Sequence, residues 1–425
     1  QVFIGSRAYV HFEMARFPRG IYVAKSMRSI SDLMFQITDG LGHRTVAWEE
    51  EALVHPPAEI FYSLRMSPKT LPYVSDLFCW GEDNRQLASA YEHLPSSTRL
   101  HVTGNPRGDM LRPELRPFFA PQADAYRERH GHYVLINTNF NDVNPYIPAV
   151  GLFQDEGLSQ LGQAGKGMDL TFARGLHHHK LVLFRSFLEM IEVAASRLPE
   201  QRFVVRPHPS EQRQPYLELS ERFANVETLA EGNVLPWLLA AKVLVHNGCT
   251  TAVEGYAMDV PAITYMPIVD QLYDYDFQGF PNRVSLPTTS LDELVAWLGD
   301  PRAVTGEHRT DERTALLAHH LTALDGPFAS ERIVEVLDGL EPRVATTTVR
   351  RTWATVQCET KRWVTELNMG REAGHNRRGY HDLRFPPLTV AALQARISSL
   401  AKLTTLFADL SIDQRAQHIF ELNRR

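Results

Sequence analysis

The sequence predicts an α/β protein of two Rossmann-like domains followed by a helical C-terminal extension. Three observations carry this. A chain of 425 residues is too long for one ordinary core. Short apolar runs alternate with amphipathic segments in two separate series. Beyond Glu341 the alternation stops and only amphipathic helical patterning continues. Hydrophobic content of 44% and charged content of 22% fit a globular chain.

The first series places strands at residues 2–5, 45–48, 77–81 and 100–104, with helical patterns at 30–41 and 84–94. The second places strands at 133–137, 202–206, 243–246 and 262–265. A polar loop precedes a long helix at 178–198, ended by Pro199, and shorter helices fall at 233–241 and 250–258. Proline and charged residues cluster at 118–129. The domains are therefore set at 1–128 and 129–340, with the extension at 341–425. The first series opens directly on a strand, so a leading β-α unit is expected to be missing from it.

No run of about 18 apolar residues occurs, so no transmembrane helix is predicted. Residues 1–5 lack the basic region and apolar length of a signal peptide. Cys79, Cys249 and Cys358 are odd in number and widely spaced, which fits reduced thiols of a cytoplasmic protein. The net charge of −6 hides an asymmetry. Residues 341–425 carry 14 Lys and Arg against 8 Asp and Glu, and the remainder carries 30 against 42. A basic tail on an acidic body suits an anionic partner, such as the inner face of a membrane or an acidic glycan. A solvated helical face explains the same charges equally well.

Four stretches could carry chemistry. Arg206-Pro207-His208-Pro209-Ser210-Glu211 follows a strand, where open α/β sheets bind ligands. Its prolines fix the backbone around His208, and a fixed His beside an Arg can hydrogen-bond a phosphate. His246-Asn247-Gly248-Cys249-Thr250-Thr251-Ala252-Val253-Glu254 is a strand end, a tight turn and a helix start. Thr250 and Thr251 add hydroxyls at the helix N-terminus, and Glu254, one turn on, suits ribose hydroxyls. Simple capping by Thr250 is the competing account. Trp48-Glu49-Glu50-Glu51-Ala52 clusters carboxylates at a strand end, where one can hold a raised pKa for acid or base work. A solvated acidic loop explains that run equally well. Asn137-Thr138-Asn139-Phe140-Asn141-Asp142 ends the first strand of the second domain, where Asn amides suit a phosphate or a sugar, or a turn. His177-His178-His179 is read as a helix start, and no metal is predicted. No dinucleotide fingerprint, Walker loop or nucleophile elbow occurs.

Taken in order, Ser6-Arg7, Pro18-Arg19-Gly20-Ile21-Tyr22, Glu50-Glu51, Phe78-Cys79-Trp80-Gly81 and Thr103-Gly104-Asn105-Pro106-Arg107 form a pattern with the second-domain stretches above and Phe385-Pro386-Pro387-Leu388. Together they resemble the bacterial surface carbohydrate biosynthesis proteins related to the retaining β-Kdo transferases of capsule and O-antigen assembly. The resemblance implies a GT-B fold, with two domains facing a cleft and a CMP-activated donor bound by the second. Carried onto this chain, His208, Thr250 and Thr251 would hold the phosphate and Glu254 the ribose. Asn137, Thr138, Asn139, Arg206, Pro209, Asn247 and Gly248 would complete the donor site. The acid-acid-glycine motif falls on Glu50-Glu51-Ala52, without its glycine, leaving the acid/base open between the two glutamates. The family's Asp nucleophile has no direct match: Asn137 and Asn139 stand there, and Asp142 is the nearest carboxylate.

The expectation is a cytoplasmic, metal-independent glycosyltransferase without a cofactor. It would move Kdo or a similar 2-keto acid sugar from CMP to a surface polysaccharide or lipid-linked glycan, with peripheral membrane contact through the basic tail and no role for nucleic acid. Two alternatives stand beside it. One is a UDP-sugar transferase or UDP-sugar 2-epimerase on the same fold. The other is an inactive glycan-binding subunit of an assembly complex.

Overall fold

The computed structural model describes residues 1–425 apart from 230, 275, 301, 370–387, 405 and 425. Phe385, Pro386 and Pro387 of the family pattern thus lie outside the described residues. Two compact units emerge: residues 1–52, 59–110 and 325–425 form the first, and 53–58 with 111–324 form the second.

The first unit holds a four-stranded parallel sheet of β2 (Ile21–Ala24), β3 (Arg44–Trp48), β4 (Val74–Cys79) and β5 (Arg99–Val102), in that spatial order. β2 was not expected, being four residues wedged behind Gly20. Helix Asp32–Leu41 buries Met34, Phe35, Ile37 and Leu41. Met34, Ile37 and Leu41 close a core with Met14, Ala354 and Cys358. The approach of helix Thr348–Met369 is tight enough that a Cβ on Gly40 would lie 2.8 Å from the Ala354 Cβ. Helix Ala329–Asp338 brings Ile333 against Val46 and Phe78. Its first turn is capped from a distance: Asp109 accepts from the N–H groups of Ala329 (2.7 Å) and Ser330 (2.9 Å).

The second unit holds six parallel strands: β6 (Tyr133–Asn137), β7 (Arg202–Arg206), β8 (Val226–Thr228), β9 (Val243–His246), β10 (Ala262–Tyr265) and β11 (Leu286–Thr288). Their spatial order is β11-β10-β9-β6-β7-β8. Counted from β6, this is the 3-2-1-4-5-6 order of a doubly wound sheet, whose winding reverses between β6 and β9. All five residues of β6 are buried, as expected for a strand covered on both faces. Helix Leu170–Arg197 lays Leu183, Phe187, Met190, Ile191 and Ala194 on Val134, Ile136, Val205 and Val245. Asp169 caps it through the Phe172 N–H (2.9 Å), so His177-His178-His179 sits inside the helix and does not start it.

The unit limits differ from the expected ones. Helix Ala120–His130 belongs wholly to the second unit, because Tyr126 stacks on Trp237 at 3.8 Å. Residues 325–425 return to the first unit through the Asp109 cap and the Gly40–Ala354 contact.

The extension is helical over Thr348–Met369 and Val390–Thr404, then turns to strands β12 (Leu410–Ala416) and β13 (Ile419–Arg424). β1 (Val2–Gly5) pairs antiparallel with β13, which also pairs β12. β1 is therefore a strand, as expected, but it lies outside the parallel sheet. A Cβ on Gly5 would collide with the His418 carbonyl, so glycine lets β1 and the hairpin meet. No helix among the described residues is long and apolar enough to cross a membrane.

Candidate functional site

The carboxyl edge of the second unit's sheet gathers most of the expected donor residues. Asn137 ends β6 and lies beside His246, the end of β9, at the reversal of strand order. The Asn137 side-chain Nδ2 donates to Thr251 Oγ1 (2.9 Å). Its Oδ1 is buried, at 4% residue exposure, and has no hydrogen-bond partner. An amide oxygen left so costs about 1–3 kcal/mol unless something else satisfies it.

The turn after β9 is held from below. His246 Nδ1 accepts from the Cys249 N–H (3.3 Å), and its Nε2 meets Ser285 Oγ (2.8 Å), whose hydroxyl donates to the Pro281 carbonyl (2.8 Å). The imidazole is thus neutral with its proton on Nε2, and full burial drives its pKa down to about 3. Gly248 takes a left-handed φ of 62°, and its N–H donates to Asn282 Oδ1 (3.1 Å). Asn247 Nδ2 donates to the Tyr265 carbonyl (3.1 Å). Thr250 occupies the N-cap of helix Thr251–Ala257 without a capping bond, and Thr251 donates to Cys249 Sγ (3.1 Å). Glu254 is buried in the first turn of that helix.

The His208 loop is organised by a residue that the sequence did not single out for a role. Glu211 accepts from Thr138 Oγ1 (2.8 Å), Tyr216 Oη (2.6 Å) and the His208 N–H (3.0 Å). Burial pushes its carboxyl up, against those donors. The exposed His208 ring is oriented by Ser210, whose N–H donates to Nδ1 (3.2 Å) and whose Oγ lies 2.6 Å from the same nitrogen. Pro207 is buried and Pro209 exposed.

Arg206 ends β7 beside Asn137, with its side chain turned to the loop that follows β8. Arg206 donates to the carbonyls of Glu231 (2.7 Å) and Gly232 (3.3 Å) and lies 5.3 Å over the Trp237 ring. Two of its N–H groups are thus engaged with the chain. Asp142 is held above the usual carboxylate range by burial and faces Lys180 of helix Leu170–Arg197. Asn139 is half-buried.

The first unit carries the acidic run at the carboxyl edge of its own sheet. Here the structure singles out Glu49, one residue before the expected pair. Glu49 is 2% exposed, and its Oε2 has no hydrogen-bond partner. Its Oε1 accepts from the Glu51 N–H (3.3 Å), with Arg65 Nη1 3.6 Å away. Burial raises its pKa to about 7, opposed chiefly by Ser26. Glu50 accepts from Trp48 Nε1 (2.8 Å) and lies 3.5 Å from Arg107 Nη1, while Glu51 points to solvent. No sequence signal singled it out: β3 is buried on both faces, so alternation does not separate Glu49 from Glu50.

Among the described residues no group of three or more His, Cys, Asp and Glu side chains could hold a metal ion.

No known protein family and no curated protein matches this chain. Similar folds occur among solved structures. A variant of the wall teichoic acid polymerase TagF aligns at 12% identity and a TM-score of 0.40 over 64% of this chain. That match spans 59% of the polymerase chain, less than two thirds of its length. The UDP-GlcNAc 2-epimerase of Methanocaldococcus jannaschii aligns at 13% identity and a TM-score of 0.45, over 79% of this chain and 84% of that one. A UDP-forming α,α-trehalose-phosphate synthase from Burkholderia vietnamiensis aligns at 11% and 0.42, over 78% and 77%. At such identities and TM-scores the reading of this chain rests on its own residues.

Proposed function

We propose that this chain is a glycosyltransferase that binds a nucleotide-activated sugar at the carboxyl edge of the second unit's sheet. The observation that carries the proposal is the buried, unpartnered Oδ1 of Asn137 at the reversal of strand order. The groups assigned to the anionic nucleotide are the His208 imidazole and the Thr250 hydroxyl, while Thr251, which accepts from Asn137 and donates to Cys249 Sγ, holds the Asn137 amide in place. Glu254 is assigned to the ribose. These groups offset the charge that develops on the leaving phosphate.

Glu49 replaces Glu50 and Glu51 as the proposed acid/base. A carboxyl poised near 7 is matched to accepting the proton an acceptor hydroxyl loses as its oxygen bonds the anomeric carbon and the nucleotide departs. Asp142, turned to Lys180, is given no nucleophilic role. The donor is read as CMP-activated, with Kdo or a similar 2-keto acid sugar, on the order of motifs from Ser6 to Thr251. The acceptor is read as a surface or lipid-linked glycan, and the reaction as metal-independent.

Calorimetry with CMP, UDP, GDP and ADP tests the donor. Tightest binding by CMP is expected and should weaken in Asn137→Ala. Tighter UDP binding removes the CMP assignment, and donor consumption without an acceptor converts the reading to an epimerase. Undiminished turnover in the presence of a chelator is the expected sign of a metal-independent reaction.

A further inference from the structure

The first unit contains a second polar site, distant in sequence from the acidic run. A cavity of about 470 Å³ is lined by Arg19, Thr346, Thr347, Thr348, Arg351, Thr352 and Thr355. That volume is in the range of small-ligand pockets, roughly 300–1,000 Å³. No acidic side chain lines it.

The arginines decide its chemistry. Arg350, on the same helix, is paired with Asp39 at 2.7 Å. Arg19 and Arg351 have no ion pair and no side-chain hydrogen bond among the described residues. Two uncompensated guanidiniums at one cavity repel each other, and an oxyanion between them relieves that repulsion through paired N–H donors. The threonines divide by what their hydroxyls already do. Thr346 donates to the Gly40 carbonyl (3.0 Å) and Thr355 to the Arg351 carbonyl (2.9 Å). Thr347 Oγ1 accepts the Arg350 N–H (3.3 Å), leaving its own proton to give. Thr348 and Thr352 make no side-chain hydrogen bond among the described residues.

We propose that this cavity binds the phosphate group of a ligand, its oxygens held by Arg19 and Arg351 and by the hydroxyls of Thr347, Thr348 and Thr352. The site goes beyond the nucleotide reading and stands whether or not the second unit binds a nucleotide. His43 lies beneath it, buried, with Nδ1 accepting from the Gly20 N–H (3.2 Å). Burial first, then Arg351 and Arg19, hold its pKa down, so a bound anion raises it. Two sources of phosphate are chemically equivalent here: a soluble phosphate ester and a phospholipid headgroup. The next stripe round helix Thr348–Met369 exposes Val349 (79%) and Trp353 (62%), apolar surface beside a headgroup-sized cavity.

The test compares the full chain with Arg19→Ala/Arg351→Ala and with Arg19→Lys/Arg351→Lys, each checked for an unchanged thermal melt. Glycerol 3-phosphate is titrated by calorimetry, and vesicles of phosphatidylcholine with or without phosphatidylglycerol are sedimented with protein. The expected result is binding in one arm or both, weakened at least about tenfold by the alanine pair. The lysine pair should fall between, since it keeps charge but loses bidentate geometry. Nucleotide binding should be unchanged in both. The His43 ring resonances should titrate at higher pH with ligand in the wild type only. Saturation by glycerol 3-phosphate alone assigns a soluble ester, and sedimentation with phosphatidylglycerol alone assigns a headgroup. Binding in neither arm, or equal binding by wild type and alanine pair, overturns the proposal. Should the alanine pair fail to fold, the lysine pair and the His43 titration decide the matter.

Discussion

The carboxyl edges of the two parallel sheets are built from different chemistry. In the second unit the edge is nearly neutral: amides of Asn137 and Asn247, hydroxyls of Thr138, Thr250 and Thr251, and an imidazole at His246 that burial keeps uncharged. Of its carboxylates, Glu211 is consumed by three donors and Glu254 is buried in the first turn of helix Thr251–Ala257. In the first unit the edge is charged, with Glu49, Glu50 and Glu51 facing Arg65 and Arg107. An edge built mainly of neutral polar groups can hold a ligand without moving protons. A charged edge with one buried carboxyl near neutrality can move a proton. The difference suggests a division between holding and reacting, and each half can be broken separately.

The largest effect is expected at the first edge. Glu49→Gln should cut turnover by about 10²–10⁴-fold with donor affinity unchanged, whereas Glu50→Gln and Glu51→Gln should cost far less. Steady-state kinetics beside calorimetry reads this, and equal losses in all three variants would erase the distinction. The same residue has a pH signature. A carboxyl raised from 4.5 to about 7 binds its proton more tightly in the folded chain. Its stabilisation is whole below the ordinary value and is lost as pH climbs through about 7, a span of about 3 kcal/mol. Denaturant titrations from pH 4 to 8 should show the wild type losing that much against Glu49→Gln.

Smaller effects belong to the second edge. Tyr216→Phe leaves Glu211 Oε2 without its donor, which should cost about 1–3 kcal/mol in urea unfolding and loosen the His208 loop. Asn137→Ala should weaken the donor nucleotide about tenfold, or about 1.4 kcal/mol, by calorimetry. Arg206→Lys should be smallest for binding. It should lower the melting temperature, because two carbonyls and a ring lose a planar partner, and leave nucleotide affinity alone. Weakened nucleotide binding in that variant would restore Arg206 to the site.

Much of the second unit was legible in the sequence because its strands are buried on both faces and read as plain apolar runs, as in Tyr133–Asn137. The turn at His246–Thr251 was legible from its glycine and threonines. What stayed hidden depends on partners. Nothing in Val2–Gly5 says that its neighbour is Ile419–Arg424 and not another parallel strand. Leu410–Ala416 alternates Leu410, Ile412 and Gln414 weakly enough to pass for a continuing amphipathic helix. The sequence could not separate Glu49 from Glu50 and Glu51, because burial and not residue type distinguishes it. The contacts of Arg206 were not legible either, because a cation at a strand end looks alike whether it faces a phosphate or a tryptophan.

The sheet that joins β1 to β13 has a consequence for synthesis. Val2 sits opposite Leu422, so the strand leaves the ribosome some 420 residues before its partner. At ordinary elongation rates that interval is roughly 20–80 s. Throughout it, the exposed apolar side chains of Val2 and Ile4 lack the edge they will later pair with, and an unpaired strand edge is an invitation to other chains. Pairing of the β12–β13 hairpin with β1 is then a late step: until β13 emerges, the first unit is held together by its parallel sheet and its helices alone.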